Sequence, residues 1–288
     1  MHHLLTSTEK FIKSKVKEQE MKNKKSLVIY CAVFALALSA NAQITFGPVS
    51  GVSFSKFKVG YVDSEDEPKT SNTYKIGFHF GATADIPFGG RFGLQPSILF
   101  SQKGNKMEYI PINSSTDKDS YSSTQSLNYI EVPLLFKYKL GSPDFGLALM
   151  AGPSFAFGIN GKHTDVGTLT VPVTDGGGTT TNVTVKINES DKDIKFGSKV
   201  NSNFKGFDAG FTFGVGTYFE IGESGKLIIE ARYTAGFGNI LNSKYVSQPT
   251  YDPVKSQIKD YNAINNQDFV GSVKNKTIQL SVGYLFEF

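Results

Sequence analysis

Tryptophan is missing from this chain, cysteine occurs once and histidine four times in 288 residues. A single cysteine, Cys31, excludes an internal disulfide and a thiolate metal centre. No stretch reaches 18 consecutive apolar residues, so no helical membrane span is encoded. Excess charge is also lacking outside the N-terminus. Residues 1–42 hold seven of the 30 basic and three of the 26 acidic side chains, leaving 23 of each in the remaining 246 residues. The net charge of +4 therefore belongs to that first segment, and the rest gives no electrostatic case for nucleic acid.

The N-terminus has a secretory pattern. After Met21 come Lys22, Lys24 and Lys25, an apolar run over 27–38, and the small-x-small site Ala40-Asn41-Ala42. The run is short of the ~20 residues a spanning helix needs. Residues 21–42 are expected to be a signal peptide and 1–20 an upstream extension, with Met1 or Met21 as the true start. Cys31 falls inside the apolar run, which argues against a lipid-anchored cysteine.

What is abundant is glycine (29), phenylalanine (24) and tyrosine (13), a composition for strands. The last stretch alternates most plainly. Ile278, Leu280, Val282, Tyr284, Phe286 and Phe288 share one face, with Thr277, Gln279, Ser281, Gly283, Leu285 and Glu287 between them. The same period recurs over 44–58, 74–88, 91–109, 125–140, 145–160, 206–221 and 226–240, which predicts eight strands. Their connections alternate. Segments 59–73, 110–124, 161–205 and 242–273 are long and polar, whereas Gly89-Gly90, Gly141-Ser142-Pro143-Asp144 and Gly222-Glu223-Ser224-Gly225 are tight turns.

The expected fold is all-β: an eight-stranded antiparallel up-and-down transmembrane β-barrel over 43–288, with short periplasmic turns and long extracellular loops. An even strand count places both termini in the periplasm. A soluble lipocalin-like barrel is the competing architecture. It fits poorly, because the large side chains share one face and the other is mostly Gly, Ala and Ser, too small to fill a soluble interior. Aromatics also gather at the strand ends. Phe88, Phe92, Tyr138, Phe145, Phe219, Phe286 and Phe288 lie near the turns, and Tyr74, Phe100, Tyr129, Phe155, Phe207 and Phe237 near the loops, as two interfacial girdles would.

On the inward face, His79, Gln95, Glu131, Lys137, Glu230 and Arg232 are expected near mid-depth. Charges in so narrow a lumen persist only when paired, so a side-chain plug is expected, with a proton or ion path as the alternative. Arg232 is expected to pair with Glu230 or Glu131. His79 and His163 are the only histidines beyond the N-terminal segment, and no nucleophile elbow or metal-ligand spacing accompanies them. No catalytic residue, metal or cofactor is expected. Asp63, Glu65, Asp66 and Glu67 lack the spacing of a calcium loop. Within 161–205, the β-branched runs 168–174 and 179–187 flank Asp175-Gly176-Gly177-Gly178, a hairpin pattern that could recruit a partner by strand addition.

Ser101-Gln102-Lys103-Gly104, Leu127-Asn128-Tyr129-Ile130-Glu131-Val132-Pro133-Leu134-Leu135, Gly152-Pro153 and Glu230-x-Arg232-Tyr233 occur in that order. With the ending Ser281-x-Gly283-x-x-Phe286-x-Phe288, they make the chain resemble the PorT-type outer-membrane β-barrel family, in the OmpA/OmpX-like group of small barrels. The resemblance implies the cell outer membrane as location, with outer-membrane lipid and the outer-membrane assembly machinery as partners. It also implies that Gly283, Phe286 and Phe288 form an assembly signal. The expected function is a non-enzymatic structural or binding role, exerted through extracellular loops on a protein partner outside the cell or in a secretion system. Alternatives are an accessory part of a secretion system, a narrow pore and a lipid-modifying barrel enzyme.

Overall fold

The computed structural model describes residues 44–61, 71–109, 120–142, 145–174, 178–197, 202–222, 225–242 and 270–287. The expected signal peptide, the upstream extension, Phe288 and the acidic stretch 63–67 lie outside the described residues. Ten strands are present among those described: β1 (Thr45–Tyr61), β2 (Ser71–Thr73), β3 (Lys75–Gly89), β4 (Phe92–Tyr109), β5 (Ser120–Gly141), β6 (Phe145–Thr174), β7 (Thr180–Ile194), β8 (Phe207–Glu220), β9 (Gly225–Gly236) and β10 (Val270–Glu287). Eight of them close a ring in which every neighbouring pair is antiparallel, in the order β1, β3, β4, β5, β6, β8, β9, β10 and back to β1. Closure leaves no strand edge within the barrel wall, the condition for β-structure inside a bilayer. The short β2 pairs with β4, and β7 with the far half of β6.

The two faces of the wall carry opposite chemistry. Outside, Ile76 is 68% exposed, Ile98 64% and Phe136 61%, whereas Ser53, Gln95 and Ser101 inside are fully buried. Each large apolar side chain is worth roughly 1.5–3 kcal/mol on leaving water. A belt of them around the whole ring therefore dictates a lipid surround and excludes the soluble alternative. At the tight turns, Gly90 and Gly222 take positive φ (54° and 67°), which other residues adopt only at a cost.

Three features depart from the sequence reading. Tyr129, expected among the loop-side girdle aromatics, points inward and is fully buried; it shares the parity of Glu131, and alternation governs its direction. β9 ends at Gly236, so Ile240 belongs to no strand and is 1% exposed inside the barrel. β6 runs on to Thr174, and much of 161–205 is strand that pairs from Gly161↔Ile194 to Thr174↔Thr180.

The interior is layered. At the turn side, Tyr218, Ile228 and Leu285 form a small apolar cluster, and the Tyr218 hydroxyl donates to the Ser142 carbonyl at 3.0 Å. Polar and charged groups fill the middle. At the loop side, Phe57, Leu127, Tyr129, Ala156, Ile194, Phe204, Ile240 and Val273 make a second apolar cluster, with Phe196 and Leu241 against it. Segments 195–197, 202–206 and 237–242 fold over the mouth and help to supply it. Gly158 N–H donates to the Gly206 carbonyl at 3.0 Å, Lys205 N–H to Ile240 at 2.8 Å, and Ile240 N–H to Val273 at 2.9 Å. A side chain on Gly158 would lie 2.3 Å from the Phe196 ring, so this glycine makes room for the cap.

Candidate functional site

His79, Gln95, Glu131, Lys137, Glu230 and Arg232 are each at most 3% exposed. They assemble as separate clusters along the axis. Near mid-depth, Arg232 donates to Glu230, and Gln95 Nε2 donates to the other Glu230 oxygen at 2.8 Å. Arg232 and Glu230 are two residues apart on β9, so both point inward from one strand. Gln95 reaches them across the barrel from β4. Glu131 is held by a different cation, Lys103, at 2.9 Å, and it also accepts from Ser154 at 3.0 Å and Gln279 at 3.3 Å. Of the two partners the sequence allows for Arg232, the fold therefore selects Glu230.

Lys137 bonds to neither of those glutamates. Its partner is Asp85 at 3.2 Å, shared with Lys139 at 2.8 Å near the turns. His79 stands apart, its Nδ1 3.0 Å from Ser53 Oγ and its Nε2 2.8 Å from Ser281 Oγ. Toward the mouth, Asn275 Nδ2 donates to Asp208 at 2.8 Å beneath the buried Tyr129. The sequence reading does not include Lys103, Asp85, Asp208 or Asn275 in the network. Inward parity is their only signal, since cross-barrel partners depend on register and strand tilt.

Polar and charged groups, many of them bonded to one another, line the middle of the lumen between an apolar cluster at each end. The family model described as outer membrane protein beta-barrel domain matches residues 37–242. The chain belongs to that family. The matched span stops before β10, the strand that closes the ring of this outer-membrane barrel. No curated protein matches the chain in sequence. Among solved structures, it is similar to the outer membrane protein OprG from Pseudomonas aeruginosa, at 11% identity over 86% of this chain and 97% of that one, with a TM-score of 0.37. Ail, the attachment invasion locus protein of Yersinia pestis, gives 11% identity over 85% and 99%, with a TM-score of 0.31. The outer membrane protease OmpT from Escherichia coli gives 11% over 87% and 98%, with a TM-score of 0.40.

In this outer-membrane barrel His79 and His163 do not come together with a nucleophile and an acid among the described residues. Both ring nitrogens of His79 face serine hydroxyls, which leaves neither for a carboxylate. His163 lies instead in the projecting sheet, 3.0 Å from Asp165. Gly283 and Phe286 are on β10: Gly283 packs inward near Ile228, and Phe286 is 43% exposed with its ring 4.9 Å from that of Tyr284.

Beyond the mouth, the wall continues as a sheet. β5 pairs with β6 out to Ser120↔Thr168, and β7 lies along the other side of β6. β8 pairs with β6 only as far as Phe157, so β7 takes over the position that β8 leaves. Among the described residues, the far edge of β7 pairs with no strand.

Proposed function

We propose that this outer-membrane barrel is non-enzymatic, keeps its lumen closed, and acts by binding an extended segment of a partner protein along β7. The observation that carries the reading is the β7 edge, unpaired among the described residues, on a strand of 15 residues held out on a rigid base. Its first part, Thr180–Lys186, is rich in Thr and Val, carries one charge and contains no proline. Edge strands are usually blunted by charge, proline or a bulge; one left open is suited to strand addition. The PorT-type motifs support placement in that branch of the family, with Gly283 and Phe286 as part of an assembly signal that Phe288 would complete. They also support the long connections facing outside the cell.

Deleting 168–186 and joining Gly167 to Ile187 through Asn-Gly tests the binding reading, since those residues are directly opposed and a two-residue turn can close them. The barrel should fold normally, and crosslinks from β7 to a partner's extended segment should vanish. Crosslinks that survive the deletion at wild-type yield would overturn it. Capture of secretion-apparatus subunits would turn the reading toward an accessory secretion component. Planar-bilayer recordings should give no steady conductance; a large constant current would overturn the closed lumen.

A further inference from the structure

Strands β1 and β10 meet in a register that sets like charges against each other. Lys56 is directly opposite Lys276, and Lys58 directly opposite Lys274. Opposed like charges destabilise a strand pair, and this seam has two such pairs in succession. All four side chains have the outward parity of Phe54 and Ile278, which form the next pair down. Among the described residues none of the four meets a carboxylate, and the side-chain partner found for them there is the Tyr74 ring, 4.6 Å from Lys56 Nζ. Elsewhere on the loop side the exposed Lys106 is paired, with Glu108 at 2.7 Å.

Height locates the cluster. Phe46, at the turn end of β1, and Lys56 are ten residues apart on the same face. At ~3.3 Å per residue and a tilt of ~40°, the rise along the membrane normal is about 25 Å, the height of the apolar band of such barrels. Lys56 and Lys276 therefore mark the outer boundary of the hydrocarbon, and Lys58 and Lys274 stand one step above it. Tyr74 sits beside them as an interfacial aromatic.

We infer that the β1–β10 seam binds the phosphorylated headgroup of an outer-leaflet glycolipid, its acyl chains lying along Phe54, Ile278, Val52 and Leu280. Four ammonium groups in two opposed pairs match a headgroup with more than one phosphate, and the anion removes the repulsion the register creates. The inference rests on the long connections facing outside the cell, as proposed above.

The test uses the mature protein folded in zwitterionic detergent and native mass spectrometry with lipid A, dephosphorylated lipid A and inorganic phosphate as probes. Lipid A should bind about ten-fold more tightly than its dephosphorylated form, and the variant K56Q/K58Q/K274Q/K276Q should lose about the same factor. K226Q, at the turn end, should bind as wild type. Equal affinity for the two lipids, or full competition by inorganic phosphate, would overturn the inference. So would undiminished binding by the quadruple variant. In lipid-free detergent, K276Q alone should raise the melting midpoint, and added lipid A should abolish the gain; a lowered midpoint would show that the register carries no repulsion. Orientation is read separately, by labelling a Thr181→Cys variant on whole cells with an impermeant maleimide. Failure there would move the seam to the inner leaflet and leave the detergent result standing on its own.

Discussion

Arg232→Ala is expected to destabilise the folded barrel by about 3–5 kcal/mol, the cost of leaving a buried charge without its partner. Glu230 is 3% exposed and has two partners, Arg232 and Gln95. An amide cannot replace a guanidinium, and an apolar layer lies between these groups and each end of the barrel. Two comparisons isolate the effect. The double variant Glu230→Gln/Arg232→Met removes both charges and should recover most of the loss. Lys106→Ala breaks an ion pair of similar length on the surface, where the partners are 40% and 50% exposed, and should cost less than about 1 kcal/mol. Denaturant titrations followed by the heat-dependent gel shift of closed barrels measure all three. Equal costs for Arg232→Ala and Lys106→Ala would show that the interior pair is hydrated.

Gly51→Ala is expected to cost about 3 kcal/mol, at the top of the range for overpacking, and to reduce the yield of closed barrel. The new methyl would lie 1.9 Å from the Leu280 carbonyl oxygen and 2.8 Å from His79 Cε1. The carbonyl belongs to the strand that closes the ring, since Gly51 is paired with Ser281. Relief therefore requires β1 and β10 to part where the first and last strands join. Ser50→Ala, next in the chain and facing outward, should be neutral within about 0.5 kcal/mol. Adding His79→Ala to Gly51→Ala should rescue little, because the nearer obstacle is backbone. Full rescue would identify the imidazole as the obstacle.

Alternation made most of the wall legible. The eight ring strands lie within a few residues of the expected spans over much of their length, because a face buried in lipid and a face buried in a narrow lumen impose opposite compositions at every second position. Tyr129 shows the limit. Its aromatic ring suggests an interface, but its parity with Glu131 and Lys137 sends it inward, where it meets Phe196 at 5.3 Å. Side-chain type is the weaker signal there. The cap at the mouth was not legible: Phe196 and Phe204 occur in a segment with no strand period, Ile240 carries the period of a strand that stops at Gly236, and all three acquire meaning only from the cavity they fill. Among charged residues, parity identifies who points inward but not who meets whom: Glu131 joins Lys103 from the adjacent strand, and Glu230 joins Gln95 from across the barrel.

The unequal lengths of β5, β6 and β7 grade the stiffness of the projection. From Gly161 to Thr168, β6 has a strand on each side; from Leu169 to Thr174 it has only β7. A two-stranded ribbon is marginal in water, whereas three strands support one another. The 14 residues of β6 from Gly161 to Thr174 span about 45 Å at ~3.3 Å per residue. The outcome is a projection with a firm stem and a pliant tip: under the binding proposed above, contacts near the stem would be selective for shape, while the tip would sweep a volume.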